Sequence, residues 1–183
     1  AWECVCAMGF RKRDALRAFL SYRGIPNRLE LVCVHDGISF INDSASVLPL
    51  SVAFSMRGMR GTPVNLILGG TDHESTDPSM FMDAIEDAVS VTLLSGSLTD
   101  KLITLLRREG IRYNGPFDRM EDAVNAAIGT IMERRGVKNT SEIVLLSPGA
   151  YADEHFANEF ERGREFRTIA DRIKDPSSSR KDV

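Results

Sequence analysis

Four short loops hold the residues of this chain that could do chemistry. The most suggestive lies in LLSPGAYADEHFANEFERGREF (145–166). It reads as the end of an apolar strand, a turn at Ser147-Pro148-Gly149, and a long amphipathic helix with Phe156, Phe160, Ile169 and Ile173 on its apolar side. A helix N-terminus presents unpaired N–H groups and the positive end of a dipole, a setting that suits a carboxylate. Asp153 and Glu154 fall where that helix is expected to start; they favour the helix but repel an acidic ligand. The other loops are 69–75, after the apolar run VNLILGG; 95–97, after SVTLLSG; and 42–46, the sequence NDSAS. Asn-Asp-Ser is good turn and N-cap chemistry ahead of a helix expected over 49–56.

These loops need a frame that brings them together. VNLILGG, SVTLLSG and EIVLLSP share one pattern, an apolar run of strand length closed by small residues. That pattern predicts strands buried on both faces of a parallel sheet. NRLELVCVHDGISFIND predicts a β-hairpin, with Leu29, Leu31 and Cys33 alternating and Asp36-Gly37 at the turn. Helices alternate with the strands. Leu98, Leu102, Leu105 and Leu106 mark one; Met120, Ala123, Val124, Ala127, Ile128 and Ile131 mark another, behind an Asp118…Glu121 capping pattern. Residues 1–24 predict two short helices, the second with a stripe of Ala15, Leu16, Phe19 and Leu20. The expected fold is α/β, a mostly parallel sheet with helices on both faces. In such sheets ligands gather at the carboxyl ends of the strands, where these loops lie.

Composition narrows the functions. The 183 residues are 43% hydrophobic and 27% charged, enough to bury the core of one domain. A net charge of −3 gives no electrostatic reason to expect nucleic acid or an anionic membrane. No stretch approaches the ~20 apolar residues of a membrane span. Cys4, Cys6 and Cys33 lack a second pair at zinc-ligand spacing and read as reduced thiols, so no metal site is assigned. LGG after a strand falls short of the dinucleotide-binding G-x-G-x-x-G, and no G-x-x-x-x-G-K-[ST] phosphate cradle occurs. The sequence starts without Met, in what reads as mid-helix, and is expected to be part of something longer.

Taken in order, GIPNRLELV, DGISFINDS, LILGGTD and VLLSP followed by F-x-N and ERGREF resemble the C-terminal domain of the Mur ligases. NDS and the LSP ending are most similar to the D-glutamate-adding branch. The resemblance covers about residues 24–175 and implies a Rossmann-like sheet with an N-terminal β-hairpin. Residues 1–23 resemble the last helices of the central ATPase domain, and 176–183 form a polar tail expected to be disordered.

The resemblance further implies an ATP-dependent ligase of peptidoglycan synthesis, serving cell wall, cell shape and cell division in the cytoplasm. Such an enzyme activates the carboxylate of UDP-MurNAc-L-alanine as an acyl phosphate, which the amine of D-glutamate attacks. The P-loop, the magnesium sites and a carbamylated lysine belong to the central domain. This chain is therefore expected to hold no catalytic residue and to be inactive alone. Its partners would be its own central and N-terminal domains in a monomeric enzyme, with no nucleic acid and no membrane.

Carried over by position, Arg28 in PNRLE matches an arginine that reaches ATP, and a guanidinium fork suits phosphate oxygens. It reads equally as a solvated arginine before a strand. Asp43, flanked by Asn42 and Ser44, matches an aspartate that contacts the nucleotide. Ser147 belongs to the LSP strand end facing the amino-acid site. Three positions depart from the family's pattern. His73 stands where a lysine grips the substrate carboxylate, between Asp72 and Glu74, which favour its cationic form. Ala152 replaces a carboxylate-binding serine, followed by Asp153, and Glu159 replaces an aromatic residue. After NDS, Ala45 to Leu48 replace a lysine and a threonine near the same pocket. Phe156 and Phe166 read as packing residues, as do Arg162 and Gly163 unless they mark a helix kink. The departures leave two alternatives: a degenerate, non-catalytic relative that keeps the fold as a binding module, or a ligase with an altered amino-acid substrate.

Overall fold

A computed structural model describes residues 2–22, 24–72, 75–135, 141–152 and 155–174. Six strands form one sheet in the order β1-β2-β6-β3-β4-β5. They are β1 (Glu30–His35), β2 (Ile38–Asn42), β3 (Val64–Leu68), β4 (Ser90–Leu94), β5 (Asn114–Phe117) and β6 (Glu142–Leu146). β1 and β2 are the antiparallel hairpin, and every other neighbouring pair is parallel. The three apolar runs occupy the centre, as sequences buried on both faces must.

The central strands β3, β4 and β6 send side chains to two separate cores. On one face Leu66, Leu68, Val91, Leu93, Ile143 and Leu145 meet α3 (Pro49–Gly58), a 3-10 turn at Pro78–Phe81, α4 (Met82–Asp87) and α5 (Ser97–Arg108). On the other, Phe40, Ile67, Leu94, Val144 and Leu146 meet α6 (Met120–Arg135) and α7 (Glu159–Lys174). A fully buried Leu or Phe contributes about 1.5–3 kcal/mol, so these two layers fix where each strand ends.

Two elements differ from expectation. β5 (NGPF) was not anticipated, because Gly and Pro weaken a strand signal; it is an edge strand, the place where Pro is tolerated. α7 starts at Glu159, later than the sequence suggests, because Asn158 caps it: its side chain accepts the N–H groups of Phe160 (3.0 Å) and Glu161 (2.9 Å). Phe160 consequently faces outward, 53% exposed, while Phe166 and Ile169 hold the inner face. Phe156, ahead of the helix, packs against the same core.

The first two helices, α1 (Trp2–Ala7) and α2 (Lys12–Ser21), pack mainly on each other, with Trp2 and Phe19 ring centroids 5.9 Å apart. They leave Met8, Phe10, Leu16, Leu20 and Tyr22 exposed. No helix among the described residues is long and apolar enough to cross a membrane.

Candidate ligand site at the carboxyl ends of the strands

The parallel strands end on one edge of the sheet, and backbone bonds tie the loops there into a single unit. Asp43 N donates to Leu146 O (2.8 Å), Gly69 N to Pro148 O (2.9 Å), and Gly149 N to Ser46 O (2.8 Å). Thr71 and Tyr151 exchange N–H···O bonds at 3.0 and 3.1 Å as an isolated bridge between the loops after β3 and β6. Leu98 N, in the first turn of α5, donates to Gly70 O. The Gly69-Gly70 pair is what allows this closeness. A Cβ on Gly69 would overlap Thr99 and Leu94 O, and one on Gly70 would overlap Tyr151 O.

Within this edge, NDS acts from beneath the surface. Asn42, Asp43 and Ser44 are all buried. The Asp43 carboxylate accepts from Leu29 N (3.1 Å), Ser55 Oγ (2.6 Å) and Ser147 Oγ (2.8 Å), joining the turn before β1, α3 and the end of β6. Asn42 Oδ1 accepts Ser44 N in an Asx turn, the local chemistry its sequence predicts. Asn42 Nδ2 donates to Asn27 Oδ1 and Gly163 O.

Arg28 is exposed; its backbone N–H donates to Ile25 O (3.1 Å), and its guanidinium reaches Ser46 Oγ at a long 3.5 Å. The turn bearing it is unusual: Asn27 and Leu29, on either side, have φ of 61° and 45°. Glu30 braces it by accepting Asn27 N (2.9 Å) and by pairing with Arg167 at 2.8 Å. Burial pushes the Glu30 carboxyl up, but the Arg167 guanidinium and the Asn27 and Asn42 donors outweigh it and hold it below the usual carboxylate range.

Arg162, read as packing, proves to be the organiser of the loops. It is 1% exposed. Its Nε donates to Ser44 Oγ (3.0 Å), Nη2 to Ser44 O and Ala150 O (2.9 Å each), and Nη1 to Tyr151 O (3.1 Å). Above it a cleft of about 10 Å³, room for roughly one water, is lined by Thr71, Ser95, Ala152, His155, Phe156 and Arg162 among others. The Thr71 hydroxyl is buried without a hydrogen-bond partner among the described residues.

Of the residues singled out for the amino acid, Ala152 lines this cleft. Ser147 does not; its hydroxyl is spent on Asp43. Glu159 is half-buried at the start of α7, where its carbonyl accepts Ser44 Oγ at 2.7 Å. His73 and Asp153 lie outside the described residues, as do Glu74, Glu154 and 176–183. The Asp72 carboxylate pairs with Lys101 of α5 at 2.5 Å, a cation that sequence reasoning missed. Thr71 and His155 were missed too. Arg162 was legible in part, since it sits one helical turn before buried Phe166. No group of three or more His, Cys, Asp or Glu among the described residues is placed to hold a metal ion.

No protein-family model matches the chain. Among curated proteins, the UDP-N-acetylmuramoylalanine–D-glutamate ligase of Borreliella afzelii is 35% identical over 84% of the chain, and that of Roseiflexus is 34% identical over 93%. That of Treponema pallidum is 34% identical over 85%. This chain is a homologue of Mur ligases. It spans about a third of these relatives' own length, 32%, 35% and 28% respectively. The fold agrees with two solved Mur-type structures. A UDP-N-acetylmuramate–alanine ligase from Thermotoga maritima superposes with a TM-score of 0.62 over 96% of the chain and 36% of its own, at 13% identity. A murein peptide ligase from Psychrobacter arcticus gives 0.50 over 94% and 34%, at 11% identity.

Proposed function

We propose that this chain is the C-terminal, ligand-closing part of an ATP-dependent ligase that adds D-glutamate to UDP-MurNAc-L-alanine in peptidoglycan synthesis. The observation that carries the proposal is the gathering of loops 42–46, 69–72 and 147–152 at one sheet edge, in a chain whose relatives are D-glutamate ligases. In this reading residues 24–175 are the closing domain, and 1–23 end the ATPase domain before it. The exposed apolar residues of α1 and α2 fit that role, being a surface made to be covered. The enzyme would be a cytoplasmic monomer serving cell shape and division, with ATP and magnesium held mainly outside this chain.

ATP supplies the activation of the acceptor's carboxylate. This chain's part is to bind and orient. Arg28 presents an open guanidinium suited to phosphate oxygens. Asn42, Asp43 and Ser44 form the floor behind it and set its position, since their side chains are buried. On the other side, Ala152 and Thr71 frame the amino acid, with Ser147 and Glu159 supporting the loop.

One observation favours an altered amino acid as a second reading. Ala152 brings no hydroxyl to the cleft it lines, and Glu159 adds a carboxylate at the helix start. The test is phosphate release by the longer protein carrying this chain, with ATP and UDP-MurNAc-L-alanine, across acidic, neutral and basic amino acids. D-glutamate as the preferred amine supports the first reading, and preference for a basic or neutral amino acid supports the second. No release with any amine overturns both and leaves the non-catalytic module.

A further inference from the structure

The two halves of the edge, the turn bearing Arg28 and the loops around the cleft, meet α7 at adjoining residues. Arg162 reaches the cleft side. Its guanidinium takes the carbonyls of Ser44, Ala150 and Tyr151, and through Tyr151, which also pairs with Thr71, it reaches the loop after β3. These carbonyls lie past the ends of the strands, where only Tyr151 O has a bridge partner, Thr71 N, and the planar fork meets all three at once.

Gly163 serves the other side. A Cβ there would overlap Asn27 Oδ1, and the Gly163 carbonyl accepts Asn42 Nδ2 at 3.2 Å. Asn42 in turn donates to Asn27 Oδ1 at 2.9 Å. This holds Asn27 in its left-handed conformation, and Asp43 holds Leu29 in its own through the Leu29 N–H. Arg28 lies between them. Non-glycine residues keep such backbone angles only where surrounding contacts over-determine them.

We propose that Arg162 and Gly163 are positioning residues for different substrates: Arg162 for the amino acid, by fixing the loops around the cleft, and Gly163 for ATP, by fixing the turn that presents Arg28. The inference rests on the ligase reading. A residue that merely supported the fold would lower the amount of active protein, and so kcat, and leave both KM values alone.

The test uses the longer protein carrying this chain. Arg162→Lys keeps the charge but replaces the fork with a point donor; it is expected to raise KM for the amino acid about tenfold and leave KM for ATP unchanged. Gly163→Ala is expected to do the reverse. Where Gly163→Ala does not fold, Asn27→Gly removes the same contact without adding volume and keeps the left-handed angle available, with the same effect on ATP. KM values that move together, or a fall in kcat alone, overturn the proposal.

If the unsubstituted protein forms no amide, the ligase reading has failed, and the coupling is read from amide NMR shifts of the 183-residue chain. Arg162→Lys must then move Thr71 and Tyr151 but spare Arg28 and Leu29, and Asn27→Gly must do the opposite. Shifts spreading across both groups overturn it.

Discussion

A carboxylate that is 1% exposed and already surrounded by three donors has little left for a ligand, and Asp43 is in that position. Its value lies in joining the turn before β1, α3 and the end of β6. Asp43→Asn would turn an amide N–H toward hydroxyl or backbone donors; we expect a loss of about 2–4 kcal/mol in urea unfolding. A loss within error would mean the carboxylate is not the joint it resembles. Glu30 carries a pH signature. Its pKa in the folded chain is held below the ordinary glutamate value, so its contribution is fully present above that value and is lost as pH falls through the lowered one. Urea midpoints between pH 7 and 3 should fall more steeply for the unsubstituted chain than for Glu30→Gln. Parallel curves would deny Arg167 and its companions that role. The Asn-Asp-Ser turn was legible in the sequence because an Asx turn is local. The burial of its aspartate was not, since Ser55 and Ser147 arrive from 12 and 104 positions away.

At the scale of elements, the central strands were readable because burial on both faces leaves an unbroken apolar run. β5 was not, because an edge strand need not be apolar, and it contains Gly115 and Pro116. The start of α7 was misplaced for a related reason: a cap is one side chain's choice, and Asn158 wins over the earlier candidates. The loops themselves depend on backbones passing within contact distance, as at Gly96, where a Cβ would fall on the Gly70 peptide and φ is 147°. Gly96→Ala should therefore cost more than about 2 kcal/mol in thermal or urea unfolding, with strain and overlap adding. An unchanged midpoint would show that the junction between β3 and α5 relaxes freely.

Over the whole molecule, the sheet does two jobs at opposite depths. Its two cores set the strand ends, and the strand ends set the loops, so the proposed binding edge is built from residues whose own side chains are largely buried. That division separates Asn42, Asp43 and Ser147, whose buried polar groups are bonded within the chain, from Ala152, which is buried as well but lines the cleft. The central claim is that this domain closes an amide-forming ligase. The most direct measurement is product mass after incubating the longer protein with ATP, magnesium, UDP-MurNAc-L-alanine and D-glutamate, beside a version lacking residues 24–175. The account predicts the D-glutamyl amide from the intact protein and none from the truncated one. Equal product from both, or none from the intact protein, would contradict it.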